Sequence, residues 1–220
     1  MAIQTNGPLG PFSGKLGKVI GYVDKKSGKQ RLRSIGKYRD REPSDAELAT
    51  RVKTTITADF LSFTKGFTDI GFGQYAELQR MTSPWHAASS FTRKAITGKY
   101  PDLKIDFAKL LVSTGEMPVV HHPEVVAVED ALMFSLDTSY DESTGTAAND
   151  RVMLLAYFPD FLRSVYTISG ARRSEGYDLL ALPRMTAGKT VETFIAFMSA
   201  DHKRISNSIY TGQIINLHKY

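Results

Sequence analysis

The spacing of hydrophobic and polar positions changes along the chain, and each rhythm predicts a different kind of element. Leu48, Val52, Ile56 and Phe60 recur every four residues with Ala49 and Phe63 beside them, the stripe of a helix that buries one face until about Phe63. Its start is marked by Pro43 and Ser44, with Glu47 three residues on to close a capping box and Asp45 at the positive end of the helix dipole. The glycines between Gly66 and Gly73 predict its end. A second helical region begins near Gln74 and runs to about Ile96, broken at Thr82-Ser83-Pro84, where Ser83 can cap and Pro84 suits a first helical position. Trp85, Ala88, Phe91 and Ala95 are expected to face the first helix, and the apolar run from Leu103 to Ser113 reads as a strand.

Beyond Glu116 the pattern becomes one of short strands between turn residues: Ala131 to Leu136, Arg151 to Tyr157, Ser164 to Ile168, Tyr177 to Leu182, Val191 to Met198 and Ile209 to Ile215. That spacing predicts a β-sandwich whose two facing sheets bury Phe134, Leu154, Ala156, Val165, Leu180, Phe194, Ala196 and Met198. The front of the chain follows neither rhythm. Glycines at 7, 10, 14, 17 and 21 are spaced by three and four, but so many glycines disfavour a helix by about 1 kcal/mol each relative to alanine, so an extended or looped arm is expected. After it, Val19 to Val23 and Gln30 to Ile35 flank the polar Asp24 to Lys29 and predict a β-hairpin. The fold class read from these patterns is α+β: a glycine-rich arm with a hairpin and two to three helices over residues 1–115, then an immunoglobulin/fibronectin-like antiparallel β-sandwich over 116–220.

Composition narrows the chemistry. With 220 residues, 42% of them hydrophobic and 23% charged, the chain can bury a sizeable core. It has no cysteine, which removes disulfides, thiolate catalysis and Cys-ligated zinc. The N-terminus shows no basic stretch followed by an apolar one, and no run of about eighteen apolar residues occurs, so a cytoplasmic location is the default expectation and no membrane partner is expected.

Charge is unevenly spread. Residues 1–41 hold 10 Lys and Arg against 2 Asp, a net +8, so the overall +5 leaves −3 for the rest. Lys18, Lys25, Lys26, Lys29, Arg31 and Arg33 form a candidate polyanion patch, and nucleic acid is the alternative partner they suggest.

Catalytic motifs fail on inspection. Gly10-Pro11-Phe12-Ser13-Gly14-Lys15 resembles a phosphate loop, but Leu9 stands where its first glycine belongs and Leu16 where its magnesium-binding hydroxyl belongs. His121 and His122 are adjacent and would point to opposite faces of a strand, which does not suit a shared metal ion. Asp137, Asp141 and Glu142 lack calcium-loop spacing, and no Gly-x-Ser-x-Gly occurs. Arg172-Arg173, Arg163 and Lys203-Arg204 form a second basic group if the sandwich loops bring them together, and Tyr140, Tyr157 or Phe158 would have to be exposed for carbohydrate binding. No catalytic, cofactor-binding or metal-binding residue is expected.

Several residues form a recognisable pattern: Asn6-Gly7, Gly10, Phe12-Ser13-Gly14-Lys15, Gly17, Val19, Gly21-Tyr22, Gly28-Lys29 and Arg33-Ser34 at the front, Ser113-Thr114-Gly115 in the middle, and Ser206-Asn207-Ser208-Ile209-Tyr210-Thr211-Gly212 at the end. With them the chain resembles a bacterial family of about this length known only as domain of unknown function 6266. The resemblance implies no activity. It departs from the pattern at Asp24-Lys25-Lys26-Ser27, where an aromatic and a shorter Gly-Lys turn would stand. The expected function is a non-catalytic structural or protein-interaction module, with Gly7, Gly10, Phe12, Gly14, Lys15, Gly17, Gly21 and Tyr22 as the candidate interaction arm and another protein or a second copy as partner.

Overall fold

A computed structural model describes residues 3–4, 10–25, 27–36, 41–119, 122–136, 138–141, 143, 145–183 and 188–215. The chain divides into two compact units, Met1–Pro43 and Ser44–Tyr220.

In the first unit, strands β1 (Ile3–Gln4), β2 (Phe12–Leu16), β3 (Val19–Val23) and β4 (Gln30–Ser34) form one antiparallel sheet in chain order. Two residues, Gly17 and Lys18, join β2 to β3. The expected hairpin pairs Val19 with Ser34 through Val23 with Gln30, and Asp24 N–H to Lys29 C=O, 3.0 Å, closes its loop. The described part of the glycine-rich stretch is extended and lies in a sheet: Gly14 and Gly21 face each other across β2 and β3. At Gly21 a side chain is excluded by a neighbour, because a Cβ there would collide with the Phe12 ring.

The second unit is α+β. Its helices are α1 (Asp45–Gly71), α2 (Gly73–Leu78) and α3 (Pro84–Ala95), and its strands are β5 (Ile96–Lys99), β6 (Asp102–Ile105), β7 (Glu124–Val128), β8 (Ala131–Ser135), β9 (Arg151–Phe158), β10 (Arg163–Thr167), β11 (Tyr177–Ala181), β12 (Thr190–Met198) and β13 (Ile209–Ile215). The strands build three antiparallel sheets, ordered β10-β9-β12-β13, β11-β8-β7 and β5-β6, and none closes into a barrel. Among the described residues no helix is long and apolar enough to cross a membrane.

Helix α1 begins on the expected capping box: Ser44 N–H donates to Glu47 Oε2 at 2.9 Å and Glu47 N–H to Ser44 Oγ at 3.4 Å. It continues eight residues past Phe63, because Phe67 and Thr68 are buried and Gly66 passes where the Tyr166 hydroxyl leaves no room for a Cβ. Local glycine propensity yields there to packing from a strand a hundred residues away. The run from Leu103 is strand only to Ile105; residues 107–109 form a 3-10 turn and residues 110–115 run without a strand assignment.

Strands β9 and β12 lie at the centre of the four-stranded sheet and are covered on both faces. On one face Val152, Leu154, Ala156, Phe158, Val191, Ile195 and Phe197 share a cluster with Leu132, Phe134 and Leu180 from the three-stranded sheet. On the other, Met153, Leu155, Tyr157, Phe194, Ala196 and Met198 share a cluster with Phe60, Leu61 and Phe67 of α1 and with Ala87, Ala88 and Ala95 of α3. Phe194, Ala196 and Met198 thus pack on the helices, where the sequence reading put them between two sheets; side chains alternate along β12, so they cannot share a face with Ile195 and Phe197. Because the helices and this sheet have one core, the structure's units divide at Pro43, whereas the sequence reading divided the chain at residue 115.

Candidate interaction surface

Alternation along β2, β3 and β4 sorts their side chains into two unlike faces. Phe12, Gly14, Leu16, Val19, Gly21, Val23 and Leu32 fall on one, together with Gln30 opposite Val23 and Ser34 opposite Val19, and with Leu16 opposite Val19 and Gly21 opposite Leu32. Lys15, Ile20, Tyr22, Arg31 and Arg33 fall on the other, where Ile20 sits opposite both Lys15 and Arg33, and Tyr22 opposite Arg31. Among the described residues the apolar face is exposed: Leu16 is 61% exposed and Leu32 60%. Among the described residues of Met1–Pro43 only Gly21 is buried, and it is sheltered by the Phe12 ring of the same sheet. The close backbone approach that the glycines suggested is, at Gly21, used inside the sheet.

The sheet is held by its backbone and by one side-chain amide. The Gln30 amide accepts from Phe12 N–H at 2.9 Å and donates to Phe12 C=O at 3.1 Å, reproducing a strand's pair of bonds where β2 and β3 no longer pair. Lys18 lies in the β2–β3 turn, Lys25 and Lys29 in the β3–β4 loop, and Arg31 Nε lies 3.4 Å from Asp24 Oδ2. The predicted residues Phe12, Gly14, Lys15, Gly17, Gly21 and Tyr22 are thus brought into one sheet, with Gly10 just before β2, while Gly7 and Lys26 lie outside the described residues.

The other candidates are dispersed. The Gly10 to Lys15 stretch enters a strand and opens no helix. His122 is exposed with φ 44°, His121 is outside the described residues, and no group of three or more His, Cys, Asp or Glu placed to hold a metal ion occurs among the described residues. Asp137 and Glu142 are likewise outside them, and Asp141 Oδ1 accepts from Ser143 N–H at 2.9 Å in a local turn. The second basic group does not form as expected, because Arg173 is only 2% exposed, 3.6 Å from Asp150 and stacked 3.8 Å over the Phe197 ring. Of the three aromatics considered for carbohydrate, Tyr140 is exposed, whereas Tyr157 and Phe158 are core residues.

Among the described tyrosines, Tyr157 and Tyr210 are shifted by their surroundings. Burial first, and the Asp59 charge second, push the Tyr157 phenol up to about 12, where it lines a cavity of about 330 Å³ with Ile56, Asp59, Phe107 and Leu162. Burial and the Glu192 carboxylate push Tyr210 up as well. Both Glu192 oxygens are occupied, Oε2 by the Tyr210 hydroxyl at 2.6 Å and Oε1 by the Gln213 amide at 2.7 Å.

Sequence reasoning missed a second uncovered face. Strand β7 was not expected, because the apolar run Val125-Val126-Ala127-Val128 shows no alternation and its turn to β8, Glu129-Asp130, lacks the usual hairpin glycine. In the three-stranded sheet Leu132, Phe134 and Leu180 point into the core, which leaves Leu179, Met133 and Val126 as one row across the other side. Leu179 is 52% exposed and Val126 50%.

The middle and end segments of the resemblance meet in space. Val112 N–H and Ser113 N–H donate to Ser208 Oγ at 2.8 and 3.3 Å, Ser113 Oγ to Ser206 C=O at 3.0 Å, and Thr114 Oγ1 and Gly115 N–H to Asn207 Oδ1 at 2.7 and 3.1 Å. Ser208 N–H returns a bond to Ser113 C=O at 3.1 Å. These short polar residues satisfy the backbone of a segment that pairs with no strand among the described residues, which is a structural task. No curated protein and no solved structure matches the chain. A model of the family of unknown function DUF6266 matches residues 11–212, and the chain belongs to that family.

Proposed function

We propose that the chain is a non-catalytic structural or protein-interaction module that docks to another protein through the apolar face of the sheet formed by residues 3–34. The observation that carries the reading is that this four-stranded sheet, among the described residues, leaves the leucines and valines of its apolar face exposed. Sheets gain independent stability by burying such a face, and burying a leucine or valine side chain fully is worth about 1.5–3 kcal/mol. A partner supplies that burial.

The same proposal reads β7 to β13 as the immunoglobulin/fibronectin-like sandwich. Lettered A to G in chain order, they place A, B and E in one sheet and C, F and G in the other, with D paired to C, and the two sheets share a cluster. A scaffold of this kind binds through its surfaces and loops.

Nucleic-acid binding is the second reading, favoured by Lys15, Arg31 and Arg33 lying on one face with Tyr22 among them. One experiment separates the two. A photo-crosslinking amino acid is placed at Leu32 or at Arg31, adjacent positions on opposite faces, in the full chain inside the expressing cells. Protein docking yields a discrete heavier protein band from position 32 alone. Crosslinks to RNA or DNA from position 31, with none to protein from position 32, would transfer the function to the basic face, and no adduct at either position removes both readings.

A further inference from the structure

The two uncovered apolar faces carry opposite charges at their ends. On the 3–34 sheet, Lys18 lies at one end of β3 and Lys25 and Lys29 at the other, all exposed. On the three-stranded sheet, exposed Glu124 opens β7, and exposed Glu129 stands in the turn where β7 ends. Strands β3, β7, β8 and β11 are all five residues long, so each face has its charged residues at the two ends of strands of equal length.

We infer that the apolar face of the 3–34 sheet of one copy docks on the outward face of β7-β8-β11 of a second copy. Leu16, Val19, Val23 and Leu32 then cover Val126, Met133 and Leu179, with lysines against glutamates at both ends. The balance of +8 in residues 1–41 against −3 in the rest has the same sense. Pairing either face with its own twin would set lysines on lysines or glutamates on glutamates, which selects the unlike pair. Such a contact is heterologous, and each added copy presents one open face of each kind, so the product is a ring or a filament. This inference rests on the docking role proposed for the 3–34 sheet and names its partner.

The test is the solution mass of the full chain against concentration, by sedimentation and light scattering. The wild type should rise above its 24.4 kDa protomer mass as concentration increases. Reversing the basic ends (Lys18→Glu, Lys25→Glu, Lys29→Glu) or the acidic ends (Glu124→Lys, Glu129→Lys) should weaken association roughly 100-fold, leaving protomers. An equimolar mixture of the two variants should associate again, which misfolded variants could not do. A wild type that keeps its protomer mass at every concentration, or a mixture that fails to associate, overturns the inference. The docking role can outlive the inference: if reversing the acidic ends changes nothing while reversing the basic ends dissociates the assembly, the sheet still docks and only its receiving face is wrong. If neither reversal matters, both fall.

Discussion

Two antiparallel sheets of this chain use apolar residues in opposite ways. In the central one, every residue of β9 after Arg151 and every residue of β12 after Thr190 is buried, because sheet β11-β8-β7 lies over one face and the helices over the other. In the 3–34 sheet only Gly21 is buried among the described residues, and Leu16 and Leu32 face outward. Doubly covered strands need apolar side chains at odd and even positions alike, which is why Val152 to Phe158 reads as an unbroken apolar run. An uncovered sheet has no such requirement, so apolar residues on it contribute little to the fold and are available for contact with something else. The central sheet buries apolar side chains on both faces, and the 3–34 sheet, among the described residues, leaves its own exposed.

The widest separation between the two should appear on truncating one large side chain in each. Phe197 is fully buried between the sheets and carries the Arg173 guanidinium on its ring, beside Asp150. Phe197→Ala removes the ring and leaves a cavity beside a charge, and should cost about 3–5 kcal/mol of unfolding free energy in urea titrations. A loss below about 1 kcal/mol would mean that the core relaxes around the gap and that β12 is not the tightly packed element described.

A smaller and more pointed effect is expected where backbone, not apolar area, is at stake. Ser208 is buried and its hydroxyl oxygen accepts from two amides, so Ser208→Ala strands Val112 N–H and Ser113 N–H at a cost of about 1–3 kcal/mol. Ser34→Ala on exposed β4 should change stability by no more than about 0.5 kcal/mol. Amide hydrogen exchange adds location: residues 110–115 should lose protection in the Ser208 variant while β9 keeps its own. Equal costs for the two serines would erase the distinction between the units.

Much of this was legible before any coordinates, and what was not shares one cause. The capping box at Ser44, the hairpin of β3 and β4, and the strands β8 to β13 announce themselves within windows of a few residues. The end of α1 did not, because the side chain that occupies the space beside Gly66 is Tyr166 on β10, a hundred residues away. Nor did the partition of Phe194 from Phe197, since a doubly buried strand shows no alternation from which to read a face. At the candidate site the basic residues were visible as composition, but their separation from Leu16, Val19 and Leu32 follows from a register that glycines, having no side chains, do not mark. The outward row Val126, Met133, Leu179 joins three strands, so no single window contains it.

The finest division lies within the 3–34 sheet itself. Leu32 is 60% exposed, so Leu32→Ala should alter unfolding free energy by less than about 0.5 kcal/mol, a tenth or so of the Phe197 effect. Equally small changes follow for Arg31→Ala on the opposite face, whose partner Asp24 is partly solvated and whose ion pair is therefore weak. The two variants separate only by exchange protection of β2 to β4 in concentrated solution: Leu32→Ala should lose protection that the wild type gains as its apolar face is covered, and Arg31→Ala should keep it. If both behave alike, coverage does not distinguish the faces, and the exposed leucines are surface that the fold tolerates without using.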